Sequence, residues 1–171
     1  ILLLDHSDQV LVDDCKGCRL VVAACSTSVF LRNCVDCDVV LGCQQLRTRD
    51  CSDLRVLLYT QTRPVIEASH SLRLGCFRGA YFNLAQHFVA AGLSPWNNKW
   101  SEVFDFTSRT GKHWHSLALG EELNGILPAL PADVQEDVAF VDAFATPDVV
   151  VPFSLGVERR RPAGDESVLV V

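Results

Sequence analysis

Methionine is missing from all 171 residues, and basic side chains are scarce, with 15 Lys and Arg against 21 Asp and Glu for a net charge of −6. That balance excludes non-specific binding to nucleic acid or to anionic membrane, which needs an excess of cations. It favours a protein partner with a basic or mixed surface. Long apolar runs are missing too: Asp148 to Phe153 and Val168 to Val171 fall far short of the ~20 residues a membrane helix requires. Catalytic signatures are equally thin. No Gly-rich phosphate loop, Ser-His-Asp order or paired-carboxylate motif stands out. His70, His87, His113 and His115 are scattered, so the chain does not read as an enzyme with its own substrate.

What is present points to one main globular domain. Apolar residues make up 49% and charged residues 21%, enough for a real core without staples. The opening Ile1-Leu2-Leu3-Leu4 and the stop inside Val168 to Val171 read as cuts from something longer. Any lipidation or targeting signal then lies outside the sequence, and membrane contact is expected only through such an N-terminus.

Eight cysteines fall at 15, 18, 25, 34, 37, 43, 51 and 76, and Cys15-x-x-Cys18 followed by Cys34-x-x-Cys37 imitates a zinc ribbon. Aligning the segments changes that reading. Val10-Leu-Val-Asp-Asp-Cys15-Lys-Gly-Cys18 stands over Val29-Phe-Leu-Arg-Asn-Cys34-Val-Asp-Cys37 and over Leu46-Arg-Thr-Arg-Asp-Cys51-Ser-Asp-Leu54, at offsets of 19 and 17 residues. Leu54 takes the slot of Cys18 and Cys37, so the slot wants a small apolar group and need not hold a ligand. Metal is therefore not expected. Nor are disulfides, and a reducing, cytosolic setting fits.

A period near 18 residues, with short Val, Leu and Cys runs broken by Asp, Asn, Gly and Ser, matches one coil of a parallel β-helix. The expected class is all-β: a right-handed parallel β-helix with one C-terminal helix and an extended, aromatic-rich strap. Strand alternation sorts the columns by face. Val10, Val29, Leu46 and Pro64 point inward, as do Val12, Leu31, Thr48 and Ile66. Outward lie Leu11, Phe30, Arg47 and Val65, and beside them Asp13, Arg32, Arg49 and Glu67. An apolar column left in water marks an interaction site.

Tyr81 to Ala91 carries Leu84, Phe88 and Ala91 at helical spacing and ends at Gly92, so one amphipathic helix is expected there. Trp96 to Leu119, with Trp96, Trp100, Phe104, Phe106 and Trp114, reads as the strap, its aromatics mainly core. The division is a β-helix domain with helix and strap over 1–119, then a continuation and linker over 120–171. The linker ends in Glu158-Arg-Arg-Arg-Pro-Ala-Gly164 before a final apolar strand and leads toward a second domain.

The stretches Asp13-Asp-Cys-x-x-Cys18, Ser26-Thr-Ser-Val-Phe-Leu-Arg-Asn-Cys34, Gln44-Gln-Leu-Arg-Thr-Arg-Asp-Cys51, Pro64-Val-Ile-Glu67, Gly92-Leu-Ser, Asn97-Asn-x-Trp100 and Asp105-Phe-Thr107 resemble the domain shared by the tubulin-binding cofactor C and retinitis pigmentosa 2 family. The likeness spans residues 1 to about 119, and Gln-Gln-x-Arg is specific to the family. It implies that Arg47 is an arginine finger with Gln44 and Gln45 beside it. It implies further that Glu67 and Phe106 help form the partner surface. The implied partner is an Arf-like (type 3) small GTPase in its GTP state, which itself binds the GTP and Mg. No cofactor belongs to this chain. The implied location is the cytoplasmic face of the plasma membrane or the base of a cilium or flagellum, with the fragment itself soluble and cytoplasmic. The outward columns add Phe30 and Arg49 to the partner-binding set. Leu46 and Thr62-Arg63 depart from the family pattern without touching the finger. On the repeat alone, Arg47 and Arg49 read as solvated arginines on a β-face. A non-catalytic GTPase effector or scaffold, and a chaperone cofactor acting on β-tubulin's nucleotide, are the other two readings.

Overall fold

The computed structural model describes residues 1–79, 81, 83–107, 113–118, 121 and 150–157. The registered strand pairings among them are all parallel, and the chain winds as a β-solenoid with three sides per coil. The first side holds β2 (Val10–Asp13) and the second halves of β3 (Arg19–Arg32) and β4 (Asp38–Arg49). It continues through β6 (Val65–Glu67) and β8 (Phe104–Asp105). The second side is a single bridge per coil, running Lys16, Val35, Ser52, His70. The third holds β1 (Leu2–Leu3), the first halves of β3 and β4, β5 (Arg55–Thr60), β7 (Leu72–Cys76) and β9 (Trp114–Ser116). The parallel β-helix read from the 18-residue period is the fold.

Two columns of left-handed backbone make the corners around the second side. Asp14, Asn33, Asp50 and Ala68 have φ of 56, 52, 53 and 46°, and Gly17, Asp36, Asp53 and Ser71 have 62, 55, 56 and 57°. Asp, Asn and Gly visit this region most readily, which is why these residues recur at the sequence breaks. Between the corners Cys15, Cys34 and Cys51 stack in one column, and Cys18, Cys37, Leu54 and Leu72 in the next. Cys15 and Cys18 are free and half-buried, Cys25, Cys34, Cys37, Cys43 and Cys51 are free and buried, and Cys76 is buried. Burial raises the thiol pKa of Cys15, Cys34, Cys37 and Cys51 above the usual value, so these groups stay protonated and inert. Among the described residues no three His, Cys, Asp or Glu side chains converge as metal ligands.

The third side is apolar on both faces, because it separates two cores. Its inward residues Leu20, Val22, Val39, Leu41, Val56, Leu58 and Leu74 fill the coil, closed at the base by Trp100 and Trp114. Its outward residues Val21, Ala23, Val40, Leu57 and Tyr59 are covered by Phe77, Leu117, Val151 and the helix α1 (Leu84–Ala90), which buries Leu84 and Phe88. Gly42 lies under this helix: a Cβ there would stand 3.3 Å from the Phe88 ring. Among the described residues the first side has no such cover.

The helix begins later than the Tyr81 start read from periodicity. Asn83 at the N-cap has φ of 73°, which breaks the helical path, and Tyr81 is buried beside the helix with its hydroxyl 2.9 Å from His87 Nδ1. The C-terminal end follows expectation. Gly92 at φ of 66° donates to the Val89 carbonyl and Leu93 to that of Phe88, a Schellman stop.

The strap differs from its sequence reading in two respects. It is not only packed on the coils but supplies β8 and β9, which extend the first and third sides. Its aromatics are also divided. Trp100 and Trp114 are core, while Trp96, Phe104 and Phe106 are 84%, 45% and 68% exposed. Alternation on β8 explains Phe104, since Asp105 takes the inward slot below Ile66. Of the stretch 120–171, residues 150–157 lie against the base of the coils: Val151 is buried, and Ser154 Oγ accepts from Trp100 Nε1 at 2.9 Å. The Glu158 to Gly164 run and the final apolar segment lie outside the described residues.

Candidate functional site: the uncovered first side

Register places the site residues without ambiguity. Leu11 pairs with Phe30, Phe30 with Arg47, Arg47 with Val65 and Val65 with Phe104, so five residues from five successive coils form one outward column. Asp13, Arg32, Arg49 and Glu67 form the neighbouring column, and Phe106 continues it, because its amide donates to the Ile66 carbonyl at 2.7 Å. The face assignment read from alternation holds: Val29, Leu31, Leu46 and Thr48 are buried between exposed or half-buried Phe30, Arg32, Arg47 and Arg49. Gln45 is half-buried and points outward two residues before Arg47. Gln44 is exposed at the bend, and its carbonyl accepts from the Thr60 and Thr62 hydroxyls at 3.0 Å.

The arginines of this face differ in how they are held. Arg32 is clipped to Asp13 through Nε and Nη2 at 2.6 and 2.5 Å, which holds the Asp13 carboxyl below its ordinary pKa. Arg49 has looser neighbours. Glu67 Oε1, its neighbour in the column, braces it at 4.0 Å from Nε, and Asp50 Oδ2 is nearer at 3.5 Å. With Arg49 and Asp50 more than half exposed and Glu67 over a third, this brace is weak. Arg47 is exposed and pairs with no carboxylate among the described residues; its guanidinium carbon instead sits 5.5 Å from the centroid of the Phe30 ring. The column explains why: its coil neighbours are Phe30 and Val65, not acids.

Four contributors escaped the sequence reading. Phe104 extends the apolar column and meets Phe106 edge-on at 6.3 Å. Arg63 donates to the carbonyls of Glu102 and Val103 at 3.0 and 3.4 Å, and its guanidinium carbon is 5.6 Å from the Phe104 centroid, so it ties the strap to the coils. Asp105 and Thr107 flank Phe106, and each is fastened to another part of the chain. The Asp105 side chain, 4% exposed, meets His113 Nδ1 at 2.8 Å, and Thr107 Oγ1 accepts from the Ala68 amide at 2.6 Å. Strand pairing across 39 residues has no local sequence signal, so only Phe106 was visible there.

The fold and this face define a cysteine-rich parallel β-solenoid whose first side, uncovered among the described residues, bears arginines and aromatics. The family model for tubulin binding cofactor C matches residues 1–106, and the chain belongs to that family. It is 40% identical to Protein XRP2 of Danio rerio over 186 residues, covering 97% of this chain and 49% of that protein. Protein XRP2 of Homo sapiens is 40% identical over 183 residues, with 95% and 51% covered. Tubulin-specific chaperone C of Mus musculus is 30% identical over 137 residues, with 80% and 38% covered. The chain thus spans about half the length of these XRP2 relatives. Among solved structures, Tubulin Binding Cofactor C from Leishmania major superposes with a TM-score of 0.64 at 26% identity, over 77% of this chain and 91% of that one.

Proposed function

We propose that this domain activates GTP hydrolysis by a small GTPase of the Arf-like class, supplying Arg47 in trans to the GTP-loaded partner. The observation that carries the reading is the state of Arg47: exposed, free of any described carboxylate, and set in a column of Leu11, Phe30, Val65 and Phe104 on a side that no second core covers among the described residues. Hydrolysis builds charge on the γ-phosphoryl oxygens and the β–γ bridge, and a guanidinium placed there neutralises it through a planar fork of donors. Supplied in trans, such a group is worth ~10³ to 10⁵ in rate, about 4 to 7 kcal/mol of barrier. Gln44 and Gln45 flank it as neutral polar groups. Arg49, Glu67, Phe104 and Phe106 widen the docking surface. GTP and Mg belong to the partner. The location this reading carries is the cytoplasmic face of a plasma membrane or a ciliary base.

A second reading keeps the same arginine and changes the partner. The relatives named for tubulin, and the tubulin cofactor fold shared at a TM-score of 0.64, favour β-tubulin's nucleotide as the alternative target. Single-turnover GTP hydrolysis, run with and without the domain against a panel of Arf-like GTPases and in a tubulin-heterodimer assembly assay, separates the two. Stimulation of an Arf-like GTPase supports the first reading. Activity confined to tubulin replaces it with the second, and binding without stimulation makes the domain an effector or scaffold.

A further inference from the structure

A guanidinium can be steadied from two directions. A carboxylate grips it through its in-plane N–H donors, the same donors that phosphate oxygens require. An aromatic ring attracts its flat face and leaves the donor edge free. The first side of the solenoid shows the carboxylate grip and sets one arginine beside a ring. Arg32 spends its donors on Asp13, and Arg63 spends its own on the Glu102 and Val103 carbonyls. No described group accepts from Arg47, whose guanidinium carbon is held 5.5 Å from the Phe30 centroid.

We propose that Phe30 is a positioning residue for Arg47, holding the guanidinium by its face so that its donor edge stays open for phosphate oxygens. This rests on the reading of Arg47 as the arginine delivered to the nucleotide. The ring is well placed to act as a fixed support. Phe30 pairs directly with Arg47 in the parallel register, and its strand is anchored on either side by Val29 and Leu31, at 0% and 1% exposure. A second cation, Arg32, lies 5.4 Å from the same centroid, but its donors are taken by the Asp13 carboxylate of the preceding coil. Asp13, Arg32, Phe30 and Arg47 therefore make one chain of contacts across three coils. Arg47 is the end of that chain with open donors.

The arrangement lowers the entropy lost when the arginine meets the nucleotide, which is a gain in rate more than in affinity. A ring that served only as docking surface would do the reverse.

The test has one arm without a partner and one with it. In the isolated domain, the Arg47 Nε–Hε resonance should show a ring-current shift and a high heteronuclear NOE. Phe30→Leu should remove both, and Phe30→Tyr should retain them. In single-turnover hydrolysis at saturating domain, Phe30→Leu should lower the stimulated rate roughly three- to tenfold with a smaller change in partner affinity, and Phe30→Tyr should restore it. An Arg47 resonance equally ordered in Phe30→Leu overturns the proposal, as does a Phe30→Leu defect confined to affinity. If wild-type protein stimulates no GTPase, or Arg47→Ala stimulates as wild type does, the finger reading fails. The resonance measurement still decides then whether the ring holds the guanidinium.

Discussion

Asp105 Oδ2 lies 2.8 Å from His113 Nδ1 across the last coil, so the base of the first side is fastened to β9 immediately before the exposed Phe106. Thr107 fastens the other flank by accepting the Ala68 amide at 2.6 Å. The two contacts hold the short strand that presents Phe104 and Phe106. Asp105→Asn or Thr107→Val should weaken binding of the GTP-loaded partner roughly three- to tenfold, about the value of one hydrogen bond, and leave the rate at saturation unchanged. Titration of the partner in the hydrolysis assay measures both. A loss of rate at saturation with affinity intact would contradict this assignment.

Thr48 sits between Arg47 and Arg49 in the sequence and faces the opposite way, into the column of Val12, Leu31 and Ile66. It is 2% exposed, and its Oγ1 has no hydrogen-bond partner among the described residues. A buried hydroxyl without a partner costs about 1 to 3 kcal/mol. Thr48→Val should therefore raise stability by about 1 kcal/mol in denaturant unfolding while GTPase stimulation stays at the wild-type level. A destabilised Thr48→Val would mean that the hydroxyl is satisfied in solution.

The cysteines give a prediction about chemistry that is absent. Cys18 stacks on Cys37, Leu54 and Leu72, so Cys18→Val should cost less than ~1.5 kcal/mol and leave the far-UV spectrum unchanged. Thiols whose pKa is raised by burial stay protonated at neutral pH, so Cys34, Cys37 and Cys51 should react with iodoacetamide far more slowly than a free thiol at pH 7.5. Mass spectrometry over time reads that rate. One zinc per chain, lost together with the fold on chelation, would reverse the argument.

Most of the solenoid was legible because its signal repeats. Each coil restates the same inward pattern, so the registers Val10 to Val29 to Leu46 and Leu11 to Phe30 to Arg47 to Val65 followed from aligning the sequence with itself. The corners declared themselves through Asp14, Asn33, Asp50 and Gly17, residues that tolerate positive φ. The last coil did not. Its strands are two and three residues long, too short for alternation to register, and their pairing partners lie about 40 residues earlier. The helix start was misplaced for a local reason, since Tyr81 fits the apolar spacing but is cut off by the left-handed Asn83. At the site, the outward positions were readable, and so were the coil neighbours Phe30 and Val65 of Arg47. Whether Glu67 or Asp50 lies nearer Arg49 was not, because that depends on rotamers.

The most direct test of the account is the rate of GTP hydrolysis at saturating domain for wild type, Arg47→Ala and Arg47→Lys, with partner affinity measured in parallel. If Arg47 is delivered to the transferring phosphoryl group, its contribution is larger in the transition state than in the ground state, and a lysine lacks the planar fork that makes it. Both substitutions should remove most of the stimulation, about 10³-fold or more, while the domain stays folded and binds the GTP-loaded partner with little change. Near-normal stimulation by Arg47→Lys, or equal loss of affinity and rate in Arg47→Ala, would make Arg47 an ordinary interface charge and the domain an effector or scaffold.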